Sequence, residues 1–208
     1  SKANADAGTV AYTNGQSVTN LSSTQGATVT LWAIWTPKSC TVNFNFDESD
    51  EGYGSKTGAT TSVTATYGSA MTTVTPPTAK NGYAFMGYWD GADGSGTQYY
   101  KADGTSKRTW NKDTESATTL YAYYKKAEIT GITFSPAAAE PGQTVTATAT
   151  ISPTPVAPTT VCWEVRYAAN DNPLSPQPTF TPEAGASVSF EAPGAGVYKF
   201  VATLRTGS

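Results

Sequence analysis

Thr119-Leu120-Tyr121-Ala122-Tyr123-Tyr124 has an earlier counterpart in this 208-residue chain, Thr30-Leu31-Trp32-Ala33-Ile34-Trp35, and the two lie 89 positions apart. The same offset carries Gly15 and Ser17 onto Gly104 and Ser106, and Leu21 onto Trp110, without a gap. Self-similarity at a fixed period marks tandem modules, which stack or string together to present a surface or span a distance. The period predicts one complete unit over 38–126. Before it, 1–37 carries the C-terminal part of a similar unit, from Gly8 to Trp35.

Outward from the closing segment, the complete unit shows the two-residue period of half-buried strands. Cys40, Val42, Phe44 and Phe46 alternate with Thr41, Asn43 and Asn45, and Val63, Ala65 and Tyr67 alternate with Ser62, Thr64 and Thr66. Gly82-Tyr83-Ala84-Phe85-Met86-Gly87-Tyr88-Trp89 reads as a third strand, ended by the turn-forming run Asp90-Gly91-Ala92-Asp93-Gly94-Ser95-Gly96. Tyr99 and Tyr100 begin the return strand, and Thr118 to Tyr124 closes the unit.

These residues resemble a known family, the Listeria-Bacteroides repeat, also called the internalin B-repeat. The resemblance is carried by Thr41-Val42-Asn43-Phe44-Asn45-Phe46, by the stretch from Val74-Thr75-Pro76-Pro77 through Gly82-Tyr83-Ala84-Phe85-Met86-Gly87-Tyr88-Trp89, and by the closing Leu120-Tyr121-Ala122-Tyr123-Tyr124. It covers the chain to about residue 125. Two departures exchange one aromatic for another: Gly87-Tyr88-Trp89 stands where the family has Gly-Trp-Tyr, and Tyr124 where it ends in Trp. Such swaps should preserve packing. The resemblance implies a β-grasp-like fold, a place in bacterial surface proteins beside neighbouring repeats of the same protein, and no catalytic residues.

After Lys126 the pattern changes, and 127–208 reads as a second domain of Pro-punctuated strands. Ile129 to Phe134 is a first strand. Val145, Ala147, Ala149 and Ile151 then alternate with threonines, and Val161, Trp163, Val165 and Tyr167 form the apolar face of the next strand. Val188 and Phe190 follow, and Tyr198, Phe200, Ala202 and Leu204 are expected to face inward on the last. The inward tryptophan and the short, regularly spaced strands resemble an immunoglobulin-like β-sandwich. The expected fold class is mainly β: β-grasp-like repeat modules followed by that sandwich.

Composition narrows function by exclusion. Apolar residues make up 38% and charged residues 14%, with Gly, Pro, Ser and Thr frequent, which suits strands and turns. The net charge of −3 with scattered basic residues argues against nucleic acid. No apolar run is long enough to insert into a membrane, and the first residues carry no secretory signal, so an exported protein would need its address elsewhere. Histidine is absent, removing the commonest general base and transition-metal ligand, and no cofactor motif is present.

The candidate sites are few. Tyr88 and Trp89, beside the 90–96 loop, are the expected ligand contacts. If Tyr83 and Phe85 are buried, Tyr88 should lie on the opposite face unless a bulge intervenes near Gly87. Asp47, Glu48, Asp50 and Glu51 form an acidic cluster of the oxygen type that calcium favours; its spacing departs from the EF-hand loop and fits a solvated turn. Asp90 and Asp93 suit the positive φ values of tight hairpins. Cys40 falls on the core side of its strand and Cys162 outward on another domain, which disfavours a bridge. Asn20-Leu21-Ser22 fits a glycosylation pattern but carries no weight beside its counterpart Thr109-Trp110-Asn111.

The sequence therefore points to a non-enzymatic part of a bacterial cell-surface or extracellular protein, an adhesive or spacer module whose partners are surface proteins or glycans. An alternative is the accessory carbohydrate-binding segment of a larger secreted glycan-degrading enzyme, which an exposed aromatic row on one sheet would favour.

Overall fold

A computed structural model describes residues 3, 11–19, 21–156 and 159–206; Asn20 and Gly8, which entered the sequence reading, lie outside the described residues. These residues form twelve strands and one short 3₁₀ turn, so the protein is mainly β. No helix among them is long and apolar enough to cross a membrane. Contacts divide the chain into Ser1–Lys38 and Ser39–Ser208.

In the first unit the described residues hold turns and no strand. Gly15 at φ +75° and Gly26 at φ +78° sit in tight turns, the first closed by the Gln16 N–H donating to Thr13 O at 3.1 Å. Val29 to Trp35, expected as a strand by analogy with 118–124, is not one. Its backbone has no ladder, and Leu31, Trp32 and Trp35 are exposed.

The second unit contains two separate apolar cores. The first belongs to β1 (Ser39–Asn45), β2 (Tyr53–Ser55), β3 (Ser62–Thr66), β4 (Thr78–Ala79), β5 (Tyr83–Trp89), β6 (Gln98–Tyr100) and β7 (Thr118–Lys126). Five of these make one sheet in the order β3-β1-β7-β5-β6, with β2 and β4 as a separate pair. Strands β1 and β7 run parallel at its centre and the other neighbours are antiparallel. The alternation read from β1 holds, because Cys40, Val42 and Phe44 are buried and the residues between them exposed. In β3 it stops early: Gly68, at φ +76°, turns the chain and leaves Tyr67 exposed.

One face of this sheet is covered by irregular chain. Trp110, Met71 and Val74 come from loops and pack onto Phe44, Tyr88, Tyr100 and Leu120, with Phe44 and Tyr88 ring centroids 4.4 Å apart. Large aromatics bring their polar tips into the core, and those tips need acceptors. Tyr100 Oη donates to Thr72 O and Tyr124 Oη to Phe46 O, each at 3.0 Å.

The second core belongs to β8 (Glu128–Ser135), β9 (Thr144–Ser152), β10 (Thr159–Tyr167), β11 (Ser187–Glu191) and β12 (Tyr198–Thr206). Sheet β11-β9-β8 faces the pair β10-β12. Val145, Ala147, Val161, Trp163, Val188 and Phe190 are buried as their strand phases require, and Trp163 Nε1 donates to Gly185 O at 2.8 Å. Tyr167 departs from the expectation by turning to solvent at the end of β10. Between the two cores stands a single residue, Ala127, which is buried and donates its N–H to Gly82 O at 2.8 Å.

Candidate binding face and acidic cluster

Gly87 decides which aromatic side chains meet solvent. The register between β5 and β7 slips between Phe85 and Gly87, a β-bulge, and Gly87 adopts φ +121°. A Cβ at this position would collide with the Tyr100 carbonyl oxygen. The extra residue reverses the strand's phase. Phe85 and Tyr88 therefore both face the core, and Tyr88 is fully buried among Phe44, Phe85 and Tyr100. The expectation that Tyr88 contacts a ligand is corrected on this ground. Burial first, then the neighbouring Tyr124 and Tyr100, keep its phenol protonated far above the ordinary tyrosine range.

Trp89 lies on the opposite, outward face and is half-buried. Pairing places it beside Tyr121, and Tyr121 in turn beside Asn45, so one row crosses three strands from indole to phenol to carboxamide. Tyr123, two residues on, shares that face and meets Trp89 edge-on at 5.4 Å. The 92–94 turn packs against the Tyr123 ring, since a Cβ at Gly94 would come within 2.7 Å of it. The sequence pattern places Tyr121 and Tyr123 only within a closing strand. Alternation along β7 could have placed them outward once Leu120 and Ala122 were assigned to the core.

The loop at the end of β5 is held by its own acid. Asp90 Oδ1 accepts the Thr97 N–H at 2.7 Å and Oδ2 pairs with Lys112 at 3.0 Å. Burial opposes ionisation of Asp90, but these partners outweigh it and hold the carboxyl below its usual range. Asp93 has φ +55°, which fits the turn chemistry expected of it.

Asp93 also does something the sequence did not reveal. Its carboxylate joins those of Asp47 and Asp50, with ligand oxygens within 4.8 Å of one another, a group among the described residues that could hold a hard cation. The other two acids of the expected cluster are engaged elsewhere: Glu48 pairs with Lys56, and Glu51 accepts from Tyr83 Oη at 3.1 Å. Asp50 and Asp47 already accept from the Gly52 N–H and the Ser49 hydroxyl.

Both cysteines are free. Burial raises the Cys40 thiol pKa, with Trp110 and Lys112 opposing it only in part, so the reactive thiolate is suppressed. Comparison with known protein families, curated proteins and solved structures finds no match to this chain.

Proposed function

We propose that this chain is a non-enzymatic part of a bacterial cell-surface protein, in which a Listeria-Bacteroides-type repeat of β-grasp-like fold and an immunoglobulin-like sandwich act as adhesive or spacer modules. The β-grasp reading is supported by the order β3-β1-β7-β5 with its central parallel pair, loops standing where that fold carries a helix. The sandwich reading is supported by two packed antiparallel sheets over Trp163.

The observation that carries the spacer role is the joint. A module that transmits load or holds distance must not pivot on a flexible linker. Here β7 passes into β8 through Ala127 alone, and the Val156 N–H donates to Tyr83 O at 3.0 Å, tying the two cores a second time. Residual dipolar couplings should give one alignment tensor for both cores, and a Gly-Ser insertion after Ala127 should separate it into two. Independent tensors in the unaltered chain would sink the spacer role. Antibodies to this segment should label intact cells, and labelling only after lysis would remove the surface assignment.

The row of Trp89, Tyr121 and Asn45 favours the second reading, a carbohydrate-binding accessory segment. Outward rings stack on sugar faces while a neighbouring amide bonds hydroxyls. Calorimetry against soluble glycans should show binding that Trp89→Ala abolishes without change in thermal stability. No binding across a broad glycan panel leaves the spacer role alone.

A further inference from the structure

The second core is closed on one side and open on the other. Along the outer edge of β10, Leu174 N–H donates to Val165 O at 2.8 Å, the Gln177 side chain both accepts from Val165 N–H and donates to Val165 O at 2.8 Å, and the Gly185 N–H reaches Val161 O at 2.9 Å. The outer edge of β11 is paired in the same spirit, Thr181 and Ser189 exchanging two backbone bonds. Natural sheets cover such edges because unpaired backbone recruits other strands.

Strand β12 has no such cover. It pairs with β10 over nine residues, and among the described residues no chain pairs with its other side. In an antiparallel pair alternate residues turn their N–H and C=O away from the partner, so about half of these groups face outward. Strand β8 is likewise a free edge, and it lies on the same side of the core, its Phe134 ring 4.8 Å from Phe200 of β12. The side chains facing inward along this opening, Ile132 and Phe134 from β8 and Phe200, Ala202 and Leu204 from β12, are only half-buried. Val145, Ala147 and Ala149 of β9, Val161, Trp163 and Val165 of β10, and Val188 and Phe190 of β11 are buried. A groove of about 300 Å³ bordered by Phe134, Val145, Phe190 and Phe200 opens at one end. Immunoglobulin-like sandwiches of the simplest kind set three strands against four; here the smaller sheet has two.

We propose that the free edge of β12 is a strand-acceptor site, which takes an extended segment of a partner protein carrying apolar residues at every second position. Backbone pairing supplies the ladder, and the alternate apolar side chains cover Phe134, Phe200 and Leu204. The outward face adds selectivity. Lys199 is held by Asp171 at 2.9 Å, whereas Arg205 forms no ion pair among the described residues, so an acidic residue opposite Arg205 suits the added strand. A second copy suits it less well, because β12 paired antiparallel with itself about Ala202 sets Lys199 opposite Arg205. This inference is independent of the glycan reading and compatible with the spacer role.

The test uses the full chain and a capped nine-residue peptide alternating Val and Thr, with Glu placed to face Arg205, followed by hydrogen exchange read by mass spectrometry. At about ten times its Kd the peptide should slow exchange of the β12 amides about tenfold, with other strands little changed. The same peptide N-methylated at alternate amides should have no effect. Arg205→Glu should weaken the Glu peptide and restore binding to a Lys peptide. The proposal is overturned if β12 amides of the free chain already exchange as slowly as those of β9, if no soluble concentration of peptide protects them, or if the chain dimerises through β12.

Discussion

Residues 13–35 and 102–124 match at fixed offset and end in different states. Trp110, Leu120 and Tyr124 are 0%, 0% and 4% exposed, whereas their counterparts Leu21, Leu31 and Trp35 are 38%, 56% and 88% exposed. What survives in both is the turn: Gly15 and Gly104 have φ of +75° and +79°. A tight turn is closed by residues three or four apart and needs nothing from elsewhere. A strand needs a neighbour, and β7 has two, β1 on one side and β5 on the other. Among its described residues the earlier segment carries the pattern without a paired strand, and Leu21, Leu31 and Trp35 stay exposed.

The largest effect that would sharpen this contrast lies at Trp110. Trp110→Ala should destabilise the 38–126 core by about 3 to 5 kcal/mol in chemical denaturation. A loss under about 1 kcal/mol would show that the loop carrying it is dispensable.

Next comes alkaline pH. Burial pushes the Tyr100 phenol from 10.0 up to about 12, and Tyr88 and Tyr124 are raised for the same reason. The folded pKa lies above the unfolded one, so the unfolded chain sheds the proton first. The Tyr100 part of this stability is complete below pH 10 and is lost as pH rises from 10 to 12, and the Tyr88 and Tyr124 parts are lost at higher pH still. The Tyr100 share is roughly 2 to 3 kcal/mol. Tyrosinate absorbance should appear together with unfolding above pH 10. Ionisation of all twelve tyrosines near pH 10 in a chain that stays folded would contradict the packing.

The paired glycines give a smaller effect and a cleaner comparison. A Cβ at Gly104 would strike the Val74 carbonyl oxygen, whereas one at Gly15 meets nothing within 4 Å, so only the backbone strain is common to both. Gly104→Ala should lower stability by about 1 to 3 kcal/mol, and Gly15→Ala should leave the melting of Ser39–Ser208 unchanged. Equal losses would mean the earlier segment is part of the same cooperative unit. Smallest of all, Leu21→Ala should change stability by less than about 0.5 kcal/mol.

Tyr88 shows where strand phase misleads. Counting by two from Phe85 sets Tyr88 on the outer face, and the count is right for an unbroken strand. Gly87 permits a bulge, but whether one forms depends on the register that β7 and β6 impose, which is a long-range matter. The same limit applies to Asp93. Its turn chemistry was legible locally, whereas its meeting with Asp47 and Asp50 joins loops more than forty positions apart.

Alternation acts within a few residues, so the strand phases of β1, β9, β10 and β11, the change of pattern near residue 127 and the β-rich class were legible in the sequence. Tertiary structure was needed to show that the described residues of the earlier copy form no strand, that Tyr88 turns inward and Trp89, Tyr121 and Tyr123 outward, and that among the described residues no strand pairs with the outer edge of β12. Each of these depends on which strand lies alongside, and no local pattern specifies a neighbour.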